Sequence, residues 1–407
     1  MQIFTIENSL VSQKEKLLLF VLACLNFTHI MDFMIMMPLG PQLMRYFSIS
    51  PQEFALLVSA YSFSAGLSGF MVAFIADRFP RKQIMLTAYI GFIVGTLACA
   101  MAPTFWLLMA ARTFAGVFGG VLGAQVMSIV GDVFEYERRA RAMGVVMTAF
   151  SVASVVGVPL GLYLATEISW HAPFWFVGIL GIVVIGLIWL YVPRLDGHLK
   201  ERAQTTHHPL EAVTHILHDS NQLRALLLTS VIMLGHFSII PFISPYLTIN
   251  AGFGENQLYL IYAVGGALTL FTSPQVGKLA DRKGKYPVFV VFALLSTLPM
   301  WLITNMWTNS LVIVLGTAAI FFVFSNGRLV PTQAMTSSVV LPQHRGSFMA
   351  INSSLQLLMQ AVAVYLAGIV IQKAPDGKLL HYDWVGYGAM VLITLSIFIA
   401  RRVKPVM

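Results

Sequence analysis

The stretch AFIADRFPRK, residues 73–82, returns at a fixed offset as GKLADRKGKY, residues 277–286, aligning Asp77 with Asp281 and Arg78 with Arg282. The same offset carries Asp32-Phe33-Met34-Ile35 onto His236-Phe237-Ser238-Ile239, and Pro41 and Leu43 onto Pro245 and Leu247. A slightly longer offset brings ERRARAMG (137–144) onto QHRGSFMA (343–350), matching Arg139 with Arg345 and Met143 with Met349. The chain is therefore a repeat of itself, and a repeat period this long sets the architecture before any single element is assigned.

What is repeated follows from composition. The 407 residues are 57% hydrophobic and 10% charged, whereas a soluble globular chain carries about 25% charged residues. Lipid accounts for the missing charge. Windows of about 19 residues give twelve apolar segments, at 17–39, 54–76, 83–102, 104–130, 142–165, 172–193, 225–248, 257–279, 287–307, 310–333, 347–371 and 384–400. Each is long enough to cross a hydrocarbon core of about 30 Å as a helix. The runs are continuous, which excludes barrel strands of about 10 residues with alternating polarity. The first run is too long for a removed signal peptide and lacks a small-residue cleavage site.

The positions of the 25 Lys and Arg fix the expected orientation. Arg112 and Arg328 fall inside spans; Arg45, Lys373 and Lys378 lie on one side; all the others lie on the opposite side. By the positive-inside rule both termini are cytoplasmic. The net charge of +8 is spread over short loops facing anionic lipid and calls for no nucleic-acid partner. Cys24 and Cys99 fall within spans, so free thiols are expected.

The expected fold class is an all-α integral membrane protein with twelve transmembrane helices, arranged as two parallel six-helix repeats around a central cavity. The parts are a cytoplasmic N-terminus (1–16), a first six-helix bundle (17–193), a cytoplasmic linker (194–224), a second bundle (225–400) and a cytoplasmic tail (401–407). The linker carries several His whose spacing matches no closed ligand set, so no metal is expected there. Parallel repeats about an axis along the membrane normal, with cargo held between them, describe one transporter architecture.

On these residues the chain resembles the major facilitator superfamily, over essentially all of its length beyond the first fifteen residues. The family's loop signature after spans 2 and 8 is Gly-x-x-x-Asp-Arg-x-Gly-Arg-Lys. The second half matches it through Gly277, Asp281, Arg282, Gly284 and Lys285. The first half keeps Asp77, Arg78, Arg81 and Lys82 but has Ala73 and Pro80 where the family favours Gly. The resemblance implies a charged lock that forms in one conformation and breaks in another, with Asp near a helix N-terminus and Arg reaching carboxylates or carbonyls across the gap between halves. In span 4, Gly116 and Gly120 follow Arg112 and clear one helix face for close packing. In span 5, Gly157-Val-Pro159-Leu-Gly161 is similar to the motif of the twelve-span drug:proton antiporters and their sugar-efflux relatives, with Val158 inserted. This resemblance implies proton-coupled efflux of a small amphipathic molecule by a monomer in the bacterial inner membrane. Protons, cargo and lipid are then its partners, with no cofactor beyond the proton gradient. An uptake symporter or an uncoupled facilitator is the alternative.

The stretch HIMDFMIMMPLGPQL, residues 29–43, places Asp32 in an apolar run with no other acid. At 1.5 Å per residue it lies about 7 Å from the outer edge of the core, and Arg112 about 10 Å from the same edge. Charges in lipid face a cavity or each other, so the two are expected to interact. Asp32 then serves either as a proton site or as the partner in a permanent structural ion pair. His29 lies one turn before Asp32, and His236 takes the place of Asp32 in the repeat; both imidazoles are candidates for a proton path. Arg328, about 25 Å into span 10, either snorkels to the cytosol or lines the inner vestibule with Asn326. Met31, Phe33, Met36, Tyr61, Phe237, Tyr262 and Phe324 are expected to give the cavity an adaptable aromatic and Met lining. No phosphate-cradling Gly-Lys-Ser/Thr loop and no H-E-x-x-H pair is present, so no enzyme is expected.

Overall fold

A computed structural model describes residues 13–72, 78–193, 216, 218–341 and 345–406. Asp77, most of the N-terminal segment and most of the 194–224 linker lie outside the described residues. The first half comprises α1 (Gln13–Ile35), α2 (Gly40–Tyr46), α3 (Pro51–Val72), α4 (Arg81–Ala100), α5 (Phe105–Val133), α6 (Tyr136–Val152), a π-helical turn (Ala153–Gly157), α7 (Val158–Glu167) and α8 (Ala172–Tyr191). The second comprises α9 (Ser220–Phe237), α10 (Ile240–Ile249), α11 (Leu258–Lys283), α12 (Lys285–Thr304), α13 (Leu311–Ser337), α14 (Arg345–Val370), a hairpin of β1 (Gln372–Lys373) and β2 (Leu379–Leu380), and α15 (Tyr382–Ala400).

Packing repeats with the sequence. In the first half α3 and α4 pack on α5, α4 on α8, and α1 on α6 and α8. In the second α11 and α12 pack on α13, α12 on α15, and α9 on α14 and α15. The two sets correspond helix for helix. Across the halves α3 packs on α14, and α11 packs on α7 and the π-turn. The close approach of α3 and α5 explains the span 4 glycines: a Cβ at Gly116 would meet the Tyr61 backbone, and one at Gly120 the carbonyl of Ala65.

All twelve expected spans are helical among the described residues, with three details that the apolar runs alone do not give. Among the described residues eleven helices are long and apolar enough to cross a membrane, one fewer than the twelve apolar segments. The remaining segment is α11, a helix of 26 residues that occupies the eighth place. Its run of Gly265, Gly266, Thr269, Thr272, Ser273, Pro274 and Gln275 dilutes its apolar character. Second, spans 1 and 7 are not continuous helices. Each breaks near the same repeat position, α1 after Ile35 and α9 after Phe237, ahead of Pro38 and Pro241. Proline disfavours helix in the residue before it and donates no N–H. Third, α9 begins inside the expected linker, because Asp219 caps it by accepting from the backbone N–H of Asn221 at 2.8 Å and of Gln222 at 3.3 Å.

The short helices beyond the two breaks meet. α2 packs on α10, with Gly40 against Pro245 and Phe54, and Phe54 meets Phe242 edge-on at 5.8 Å. Beside them Arg45 Nη1 and Nη2 donate to Glu255 Oε1 and Oε2 at 2.8 and 2.9 Å. The carboxylate and its bonds push the Arg45 guanidinium further up from its ordinary value. The halves are thus joined at the face opposite the chain ends, where the tail is held by Asn221 Nδ2 donating to the Lys404 carbonyl.

An exposed ion pair contributes about 0.2–1 kcal/mol, so it biases the closure without fixing it. Arg45→Glu should raise, by up to about five-fold, the labelling of a cysteine placed at Phe54 by an impermeant maleimide, in a background lacking Cys24 and Cys99. Adding Glu255→Arg should return the labelling to its starting rate. Unchanged labelling in the single variant would remove the pair from the closure.

Candidate functional site

Asp32 sits near the end of α1, fully buried, and α5 brings Arg112 to it. Arg112 Nη1 lies 2.7 Å from Asp32 Oδ2 and 3.4 Å from the Asp32 carbonyl. Thr96 of α4 donates from Oγ1 to Asp32 Oδ1 at 3.1 Å. The guanidinium carbon stands 4.4 Å above the ring of Tyr61 from α3. Four helices therefore converge on one carboxylate. Both of its oxygens are satisfied, while Arg112 Nε has no partner. The pair balances in charge, and this is what makes its burial tolerable, since a lone ion in a low-dielectric interior is far more costly.

Around this pair the predicted residues divide. Half-buried His29 lies edge-on to Phe92 at 5.5 Å, and a Cβ at Gly119 would meet both the Tyr61 hydroxyl and His29 Nε2. Phe33 packs on Tyr61 at 5.7 Å. Met31 and Met36 are fully buried in packed clusters in this structure. Met31 fills the space left by Gly157 and Gly161 of span 5; the face it takes is set by helix phase, which a count of apolar residues does not show. Phe237 is half-buried, as are Phe324, packed on Phe292 at 6.2 Å, and Asn326, whose Nδ2 donates to the Phe322 carbonyl at 3.2 Å. Tyr262 is buried, its hydroxyl 3.0 Å from that of Ser244.

The second half assembles a counterpart. His236 of α9, Ser296 and Met300 of α12, and Arg328 of α13 come together, with Arg328 fully buried. Arg328 Nη1 donates to Ser296 Oγ at 2.6 Å and lies 3.9 Å from Met300 Sδ; Nη2 lies 3.2 Å from His236 Nδ1. The His236 ring stacks on Phe321 with an interplanar angle of 11°. Arg328 therefore neither snorkels nor lines a vestibule in this structure. Long side chains on a helix point back toward its N-terminus, so the guanidinium reaches away from the face carrying the chain ends, which a depth count on Cα positions misses.

In the loops, Arg81 and Lys82 make contacts among the described residues. Arg81 Nε bonds Asp132 Oδ2 at 3.0 Å, and Lys82 Nζ donates to the Trp189 carbonyl at 2.8 Å. Both partners belong to the first half, so these contacts tie helices within it. Arg78, Asp281 and Arg282 are exposed, and Lys285 and Gly277 half-buried. Gly284 has φ +92°, whereas Pro80, its repeat counterpart, has φ −57°; the ring locks proline out of positive φ, so the two turns are built differently. In span 5 the π-turn Ala153–Gly157 precedes Pro159 in the first turn of α7. Such turns widen the helix by one residue, often at functional sites, and here absorb a proline that lacks the N–H.

The family model described as Major Facilitator Superfamily matches residues 22–364 and 225–406. The chain belongs to the major facilitator superfamily. Among its relatives is the uncharacterized MFS-type transporter YceJ of Bacillus subtilis (strain 168), 23% identical over 382 residues, which cover 92% of this chain and 93% of that one. A probable sugar efflux transporter of Helicobacter pylori (strain P12) is 22% identical over 250 residues, 61% of this chain and 62% of that one. In fold the chain resembles the crystal structure of a D-xylose-proton symporter, with TM-score 0.79, 14% identity and coverage of 96% and 98%. It also resembles a bacterial homolog to the human lysosomal transporter Spinster, with TM-score 0.76, 16% identity and the same coverage. This superfamily member is a multi-pass membrane transporter and not an enzyme.

Sequence reasoning missed Thr96, Ser296 and Glu255. The two hydroxyl residues carry no signal of their own within apolar spans, and Glu255 becomes meaningful only when the fold sets it beside Arg45. In the superfamily chain, removing either member of the central pair leaves the other buried without a counter-charge. Arg112→Gln or Asp32→Asn alone should destabilise by about 3–5 kcal/mol. The double variant should recover most of the loss. Thermal unfolding of the four proteins in detergent gives the coupling, and additive losses would mean the charges stabilise independently.

Proposed function

We propose that this transporter is a proton-coupled exporter of a small amphipathic molecule, working by alternating access in a bacterial inner membrane with both termini cytoplasmic. The observation that carries the reading is Asp32, a fully buried carboxylate held by Arg112 and Thr96. Protonation removes its charge, and with it the reason for Arg112 to stay in place. Tyr61 offers the released guanidinium a cation–π contact. The helix break at Met36–Leu39 begins one turn beyond Asp32, and α2 on its far side docks on α10 of the other half. Loss of the pair therefore acts next to the hinge of the closure. Export is supported by the span 5 motif and by the Helicobacter relative's name. The half-buried rings of Phe33, Phe237 and Phe324 suit amphipathic cargo.

The test uses proteoliposomes with an imposed pH gradient and a panel of fluorescent amphiphiles of both charges. Wild type should move at least one of them uphill as protons move the other way, and Asp32→Asn, which keeps size but cannot ionise, should lower that flux at least ten-fold. Downhill exchange without a gradient should persist. If the pH dependence survives in Asp32→Asn, the proton binds elsewhere, with His29 and His236 next to be substituted. If cargo and protons move in the same direction, the chain is an uptake symporter.

A further inference from the structure

Each half gathers an arginine and a hydroxyl around the residue at one repeat position, Asp32 in the first and His236 in the second, although the two arginines themselves come from different repeat positions. In the first half a guanidinium, Arg112, meets a carboxylate and an aromatic ring, and the carboxylate also accepts from a threonine hydroxyl. In the second, Arg328 meets a serine hydroxyl, a thioether and an imidazole. His236 stands where the repeat has Asp32. An imidazole facing a guanidinium through Nδ1 accepts a hydrogen bond but brings no negative charge, and arginine does not deprotonate. No carboxylate among the described residues pairs with Arg328 or acts on it. Arg328 is thus a buried cation without a counter-charge, an arrangement that persists only when something offsets it.

Two further atoms point to what is missing. Arg328 Nε is buried with no partner, and so is Ser325 Oγ. Ser325 lies three residues earlier on α13, hence on the same face and in the turn toward which the Arg328 side chain leans. A guanidinium Nε without a partner, with a hydroxyl donor one turn away, is a donor set that can receive a carboxylate, phosphonate or sulfonate.

We propose that the cargo carries an anionic group and that Arg328, assisted by Ser325, receives it. This names the substrate class for the transporter reading above and rests on it. Arg328 is sealed in the conformation described here, so the anion reaches it at another stage of the cycle. An anion that binds only that stage stabilises it by its differential affinity, which is how cargo would drive the conformational change. Cargo charge and proton then act on opposite halves: the proton on the Asp32–Arg112 pair, the anion on the arginine that has no acid.

The test is thermal unfolding of the purified full chain in detergent with matched compounds: 4-phenylbutyrate against 4-phenylbutyramide, benzoate against benzamide, and naphthalene-2-sulfonate against its sulfonamide. Sodium chloride is titrated alone as a control. At least one organic anion should raise the unfolding midpoint while its neutral partner does not. Arg328→Gln should raise the half-saturating concentration of that anion at least ten-fold. Without ligand, Arg328→Gln should unfold at or above the wild-type temperature, because it removes an uncompensated charge; a purely structural arginine would give the opposite. Should Arg328→Gln not fold, Arg328→Lys, which keeps the charge and loses the fork, is held to the same ten-fold criterion. The proposal is overturned if neutral partners bind equally well, if the variant keeps its affinity, or if no anion of the panel shifts the midpoint. It is also overturned if chloride alone gives the Arg328-dependent shift, which would make this a small-ion site. Binding here needs no pH gradient, so failure of this test leaves the Asp32 reading standing, and loss of proton coupling leaves the anion result standing.

Discussion

A charge buried in a membrane bundle must be answered by another charge, by hydrogen bonds or by a ligand, and this constraint organises the molecule. Asp32 is answered by Arg112 and Thr96 from two other helices, with Tyr61 beneath the guanidinium. Four spans of the first half are thereby drawn to one point. Glycines in span 4 let α5 approach α3 closely enough for Arg112 to reach. The cluster around Arg328 in the second half has no acid among the described residues, and the asymmetry between a balanced and an unbalanced arginine gives two similar bundles different chemistry.

The fold was legible because its signals are long. Apolar runs of about 20 residues and a duplicated loop survive any local ambiguity, and the contacts repeat as the sequence does. The helix breaks in spans 1 and 7 were less legible although Pro38 and Pro241 stand in plain view, since a hydropathy window averages across them. α11 shows the converse: its polar small residues lower its apolarity while tertiary contacts keep it helical.

At the site, Asp32 and Arg112 could be paired from sequence because two charges at matched depth leave few ways to be satisfied. Arg328 could not be placed, because its depth was counted at Cα and its side chain extends the length of a turn. Met31 and Met36 are packed and fully buried where their residue type alone suggests a cavity lining, since residue type says nothing of helix phase. The bonds of Arg81 to Asp132 and of Lys82 to the Trp189 carbonyl depend on how α4 sits against α5 and α8, which the sequence does not show.

The Arg45–Glu255 pair has a further consequence. Arg45 is 68% exposed on its side chain and Glu255 26%, so mobile ions reach the pair from the medium on that face. Interactions between exposed charges are screened over a Debye length of about 8 Å at physiological ionic strength and about 3 Å at 1 M. Raising salt on that side alone therefore loosens the clasp between the halves, while the sealed Asp32–Arg112 pair is untouched. The balance between closed and open states is thus set in part by the ionic strength on the side of the membrane that this face meets, so a change of salinity there shifts the transporter's resting bias with no change in cargo.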